Sequence, residues 1–171
     1  HFNMMALVDG IQPRVLSLQD IIQEHIKHRQ NVVRRRTEYE LRKAKERAHV
    51  LEGLKIALDH IDEVIATIRA SETTDEAQAN LIKKFKLSDI QAKAILAMQL
   101  RTLAGLERKK IEDELIELMK TIAGLEAILA DEKKILKIVK EEMLELKKQY
   151  GDERRTQVVP SELGKIRDIS E

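Results

Sequence analysis

Residues 111–129 read IEDELIELMKTIAGLEAIL, and their spacing decides the architecture. Ile111, Leu115, Leu118, Ile122, Leu125 and Leu129 recur in steps of 4-3-4-3-4. That is the period of a helix that buries one narrow stripe against a partner helix. The phase runs on through Glu132 to Leu136, Val139, Met143, Leu146 and Tyr150, and Gly151 supplies the expected C-terminal stop. A helix from about 105 to 150 is predicted. Its seam loses apolarity at Asp131-Glu132-Lys133-Lys134, so a bend is expected there, with Asp131, Glu132 and Lys133 as candidate hinge residues.

Upstream lies a second stripe: Leu41, Ala44, Ala48, Leu51, Leu54 or Lys55, Leu58, Ile61, Ile65 and Ile68. Ser17 is a good N-cap, with Asp20 three residues on, facing the positive end of the helix. No proline and no strong turn pair intervenes before Ser71. Gly53 lies inside, at a cost of roughly 1 kcal/mol relative to Ala. The pattern predicts a helix over about 18–69, which at 1.5 Å per residue is roughly 75–80 Å long. Two such helices, joined by some 35 residues, satisfy both stripes by lying side by side and antiparallel.

The connection is itself helical. Thr73 with Glu76 spells a capping box for a short helix ending near Phe85, and Ser88 with Gln91 spells another. Leu87 and Ala92 flank that second cap as a hydrophobic staple. The next helix, Asp89 to Arg101, is apolar nearly all round. At the start of the chain, Phe2 to Val8 is β-compatible, Asp9-Gly10 is a strong turn pair, and Pro13 leads into Arg14-Val15-Leu16, which reads as a short β-hairpin. The expected fold is therefore all-α: a long antiparallel two-helix coiled coil with a small helical head at its tip and short β segments at its base. Its predicted parts are a β-hairpin base (1–16), an outgoing helix (17–70), the head (71–103), a returning helix (104–151), and a β-compatible segment with a flexible tail (152–171). Arg154 to Val159 is the segment expected to pair with Phe2 to Val8.

Composition agrees with this design. Charged residues are 36% and aromatics 2%, the mixture of a coiled coil rather than of a compact globule. Net charge is +1, which argues against a wholesale polyanion binder. Between His25 and His49, however, nine Lys or Arg face three Glu, a local +6. The absence of cysteine excludes disulfides and thiolate metal sites and is compatible with a reducing cytoplasm. No apolar run approaches the ~20 residues of a membrane span. His1-Phe2-Asn3-Met4 lacks the layout of a signal peptide, and these residues already look like strand, so the chain reads as a piece of something larger.

Catalytic constellations are not evident. The six glycines are scattered and form no phosphate cradle. His25 and His28 share a helix face, but further ligands would have to converge there before they held a metal. His49 and His60 have no obvious partners. The basic stretch, with Arg34, Arg35, Arg36, Arg42 and Lys43 as its candidate DNA-facing residues, has two readings. One is a solvated helix face; the other is a surface that guides a duplex through its phosphates. The head poses the sharper question. A helix apolar on all sides needs cover on all sides. It is either a self-contained tip or a homodimer interface, and Ile90, Ala94, Ile95, Met98, Gln99 and Leu103 are the contact residues the second reading selects.

The segments Phe2-Asn3-Met4-Met5-Ala6-Leu7-Val8-Asp9-Gly10, Val33-Arg34-Arg35-Arg36-Thr37, Glu40-Leu41-Arg42-Lys43-Ala44 and His49-Val50-Leu51-Glu52-Gly53-Leu54 resemble the A subunits of bacterial DNA gyrase. So do Ala94-Ile95-Leu96-Ala97-Met98-Gln99-Leu100, Leu103-Ala104-Gly105-Leu106-Glu107 and Gly151-Asp152-Glu153-Arg154-Arg155-Thr156. The corresponding chain of topoisomerase IV shares parts of this set, and a topoisomerase IV parent is the nearer alternative. The resemblance implies the coiled coil and exit gate (C-gate) of a type IIA DNA topoisomerase, a homodimer through the head. It also implies transient contact with double-stranded DNA, a gyrase B subunit as the parent's partner, no membrane, and a cytoplasmic, nucleoid-associated bacterial setting. The family's DNA-cleaving tyrosine lies upstream; neither Tyr39 nor Tyr150 matches its motif. The fragment is thus expected to be no enzyme by itself and to hold no cofactor, with ATP and Mg used on other domains of an ATP-hydrolysing parent. The rival from another class is a helical arm that binds nucleic acid through its basic face.

Overall fold

The computed structural model of the chain describes residues 4–8, 10, 12–99 and 105–156. Two strands come first: β1 (Met5–Val8) and β2 (Gln12–Val15) pair antiparallel, with Met5 opposite Val15 and Val8 opposite Gln12. Gly10 sits at φ +77°, a conformation that a side chain would strain. Among the described residues the sheet ends there. Arg154–Thr156 form no strand, and the rest of the segment expected to pair with Phe2–Val8 lies outside the described residues.

Six helices follow among the described residues: α1 (Leu18–Asp59), α2 (Ile61–Arg69), α3 (Thr74–Phe85), α4 (Asp89–Leu96), α5 (Gly105–Leu129) and α6 (Glu132–Tyr150). α1 begins with the expected capping box: Ser17 accepts from the Asp20 amide at 3.2 Å, and the Asp20 carboxylate accepts from the Ser17 amide at 3.1 Å. The Ser17 hydroxyl, donating to the Asp20 carboxylate at 2.6 Å, and then the Ser17 amide hold the Asp20 carboxyl below its ordinary pKa. At 42 residues α1 is about 63 Å long.

α1 and α5 run antiparallel, as their cross-helix ion pairs show. Asp59 meets Arg108, Arg47 meets Glu114 at 2.7 Å, and Lys45 meets Glu126 at 2.5 Å, one number falling as the other rises. The buried stripe of α1 is Val33, Thr37, Ala44, Ala48, Leu51 and Leu58. It begins earlier than the aliphatic pattern suggested, because Thr37 donates its hydroxyl to the Val33 carbonyl at 2.9 Å and so enters the seam with its polar group satisfied. Leu51, Leu58 and Ile111 form a buried cluster in the seam.

The single helix expected over 18–69 is two. It breaks at His60 (φ −120°, ψ 35°), although the hydrogen bonds from His60 to Ile56 and from Val64 to His60 continue on either side. The reason lies in packing. Val64 turns into a core shared with Ala57, Leu81, Leu87, Ala92 and Ile95, and Ile68 packs against it. Ile61, Ile65 and Ile68, expected on the arm's seam, therefore belong to the head. The returning helix breaks where a bend was expected: Ala130 is a turn, and the Asp131 carboxylate accepts from the Lys133 amide at 2.9 Å.

Candidate functional site

The head is built from α2, α3 and α4, folded around Leu81 and Ala92, which are fully buried. α3 starts at Thr73, whose hydroxyl accepts from the Glu76 amide at 3.2 Å. The Glu76 carboxylate reaches past the cap to the Glu72 amide at 3.0 Å, so this capping box is incomplete. α3 stops at Lys86, held at φ 54°. The second box, at Ser88 and Gln91, is complete, and the staple residues Leu87 and Ala92 both lie in the core.

This second cap does more than close a helix. Gln91 is 7% exposed, and its amide nitrogen donates to the His49 carbonyl of α1 at 2.8 Å. The His49 ring shares a 2.7 Å hydrogen bond with the Ser88 hydroxyl. The Gln91 side chain lies so close over Gly53 that a Cβ there would stand 2.6 Å from Gln91 Cγ. Gly53, which looked like a flaw in a helix, is the point where α4 rests on α1. His49, which seemed to lack partners, is one side of that junction.

Of the residues selected as dimer contacts, the five described ones lie in different surroundings. Ile95 is 3% exposed and belongs to the head's own core. It also forms part of the floor of the groove that Met98 and Gln99 line. Ile90 is 61% exposed and faces the other way, lining a groove with Leu41, Val50 and the His49 ring. Ala94 is half-buried; Met98 is half-buried and packs on the Leu51–Leu58–Ile111 cluster. Met98 and Gln99 line a second, apolar groove of about 110 Å³ with Ile61, Ile65, Ile68 and Leu96. Leu103 lies outside the described residues.

Several residues of the basic face are engaged in ion pairs. Arg34 pairs with Glu132 at 3.2 Å, and Lys43 with Glu46 at 2.9 Å. Arg47 holds Glu114 in a two-pronged contact at 2.7 and 3.0 Å. That bond pulls the Glu114 carboxyl below its ordinary pKa and pushes the Arg47 guanidinium up. Arg42 sits 5.4 Å above the Tyr39 ring. Arg35 and Arg36 are exposed and border a shallow depression with His28, Asn31 and Val32. Among the described residues no cluster of His or carboxylates could hold a metal ion, and no helix is long and apolar enough to cross a membrane.

The model of the DNA gyrase/topoisomerase IV A-subunit family matches residues 1–144. The chain belongs to that family. The DNA gyrase A chain of Clostridium acetobutylicum is 59% identical over 160 residues, covering 94% of this chain and 19% of that protein. Its counterpart in Staphylococcus aureus is 53% identical over 169 residues, covering 99% of this chain and 19% of its own length. The Halalkalibacterium halodurans gyrase A chain is 56% identical over 160 residues, again 94% of this chain and 19% of the relative. The chain thus spans about a fifth of the length of the curated gyrase A relatives it matches.

Proposed function

We propose that this chain is the exit-gate arm of a type IIA topoisomerase, with DNA gyrase as the parent. Two copies meet through their heads and close the cavity from which the transported duplex leaves. The observation that carries the reading is the apolar groove of Ile61, Ile65, Ile68, Leu96 and Met98, which the head's own core leaves uncovered. It is formed between α2 and the end of α4, with Met98 and Gln99 beyond it. An apolar contact suits a gate, because it closes without burying ion pairs that would be costly to separate and re-solvate. The gyrase parent rests on the relatives, whose identities of 53–59% are to gyrase A chains.

Under this reading the chemistry resides elsewhere in the parent. DNA cleavage, ATP, Mg and the gyrase B subunit belong to segments beyond this fifth of the protein. The arm contributes mechanics, flexing at Asp131, Glu132 and Lys133 where the returning helix is interrupted. The cross-helix pairing of Arg34, Lys45 and Arg47 turns three of the nine basic residues between His25 and His49 to holding the arm together, which supports a mechanical part over one that grips nucleic acid. Light scattering behind size exclusion tests the proposal. At tens of micromolar the mass is expected at twice the 19.7 kDa of the chain, and Ile65→Glu is expected to halve it with helicity intact. A monomeric wild-type chain would overturn the gate reading.

A further inference from the structure

Gln91 touches three parts of the molecule at once. Its side-chain oxygen accepts from the Ser88 amide at 3.0 Å, its nitrogen donates to the His49 carbonyl at 2.8 Å, and its stem covers Gly53. The equivalent position of the neighbouring helix is a control within the same head. Glu76 also stands third after its cap, yet it is exposed and bonds only to local backbone. Capping therefore does not require burial. Burying an amide is costly unless both of its ends are bonded, and here both are. The absence of a side chain at residue 53 is what lets the amide come this close to α1.

We propose that Gln91 is a positioning residue: it locks α4 at a fixed angle on α1, so that movement of the arm is carried to the gate contact. This rests on the reading of the head as the gate. Aliphatic contacts such as Ala57 against Ala92 resist separation but permit sliding and rotation. The Gln91 bond to the His49 carbonyl is directional, and with the other end of the amide fixed to the Ser88 amide it resists rotation as well. The lever is short and effective. α4 has eight residues, about 12 Å, so a 10° tilt at its start displaces its far end by about 2 Å. That far end is Leu96, followed by Met98 and Gln99 of the apolar groove.

The test separates capping from locking. Gln91→Glu keeps an acceptor for the Ser88 amide but has no donor for the His49 carbonyl. Ser88→Ala removes the cap hydroxyl and its bond to the His49 ring but leaves both Gln91 bonds, to the Ser88 amide and to the His49 carbonyl. The chain has no cysteine, so Lys55→Cys on α1 and Lys93→Cys on α4, in labelled chain diluted with unlabelled chain, give one spin-label pair per dimer. Pulsed electron resonance is expected to report one narrow distance in the otherwise wild-type chain and in Ser88→Ala. It is expected to report a broadened one in Gln91→Glu, with far-UV helicity unchanged. The dimer dissociation constant of Gln91→Glu should rise about tenfold, the usual scale for a lost buried hydrogen bond. A narrow distance and unchanged dimerisation in Gln91→Glu would overturn the lock, as would equal broadening in Ser88→Ala. A wild-type chain that is monomeric but narrow in distance would refute the gate reading and leave the lock standing.

Discussion

The arm and the head use the same short list of residues and hold together by different means. Along α1 and α5 the seam is a line of aliphatic side chains with ion pairs at its margins, and each contact is repeated a turn further on. In the head, three short helices share one small core with Ala57 of α1, and the junction with the arm adds a polar, buried contact that is made once. Repetition makes the arm tolerant: losing one margin contact leaves the others in register. The head has no repeats to fall back on, so its geometry depends on single residues.

Leu81→Ala is expected to break this comparison most severely. Leu81 is fully buried in the head core, and truncating such a residue costs about 3 kcal/mol. Hydrogen exchange should accelerate across α2, α3 and α4 while the α1–α5 seam amides stay protected. Equal loss of protection along the seam would mean that arm and head are one cooperative unit. Gly53→Leu comes next. Leucine favours helix over glycine by roughly 0.8 kcal/mol, so propensity alone predicts stabilisation. The Gln91 stem allows no room for it, and a net loss of about 1–3 kcal/mol is expected from thermal unfolding. A higher melting temperature would show that α4 does not need close approach.

The smallest effect belongs to the arm's margin. Arg47 holds the Glu114 carboxyl below its ordinary pKa, so the unfolded chain takes up this proton more readily than the folded one. The resulting stability is present above the unfolded value of about 4.3 and is lost as pH falls through the lower folded value. Arg47 stays charged throughout. Both side chains are substantially solvated, which limits the contribution to under about 1 kcal/mol. Melting curves of the wild-type chain and Glu114→Gln should differ slightly at pH 6 and draw together as the pH falls below the carboxylate range. A gap that persists in acid would assign the effect to something other than this pair.

Legibility followed the same division. The 4-3-4-3-4 run from Ile111 to Leu129 announced its helix, and the capping residues Ser17, Thr73 and Ser88 marked three helix starts to the residue. The lapse at Asp131 foretold an interruption. His60 was not foreseen, because nothing local breaks a helix there; Val64 and Ile68 leave the arm's stripe only because a head core exists to receive them. The contact residues on α4 were chosen for being apolar, and apolarity cannot say which face is inward. Ile95 turned to the core and Ile90 to the arm.

By itself, then, the sequence determined the helices, their antiparallel pairing and the placing of a helical head between them, because those follow from periodicity and from caps that act within one turn. The tertiary structure alone decided where the outgoing helix ends, why residue 53 is a glycine, and what His49 bonds to. Each of these depends on residues dozens of positions apart meeting at one point, and a one-dimensional pattern holds no record of that meeting.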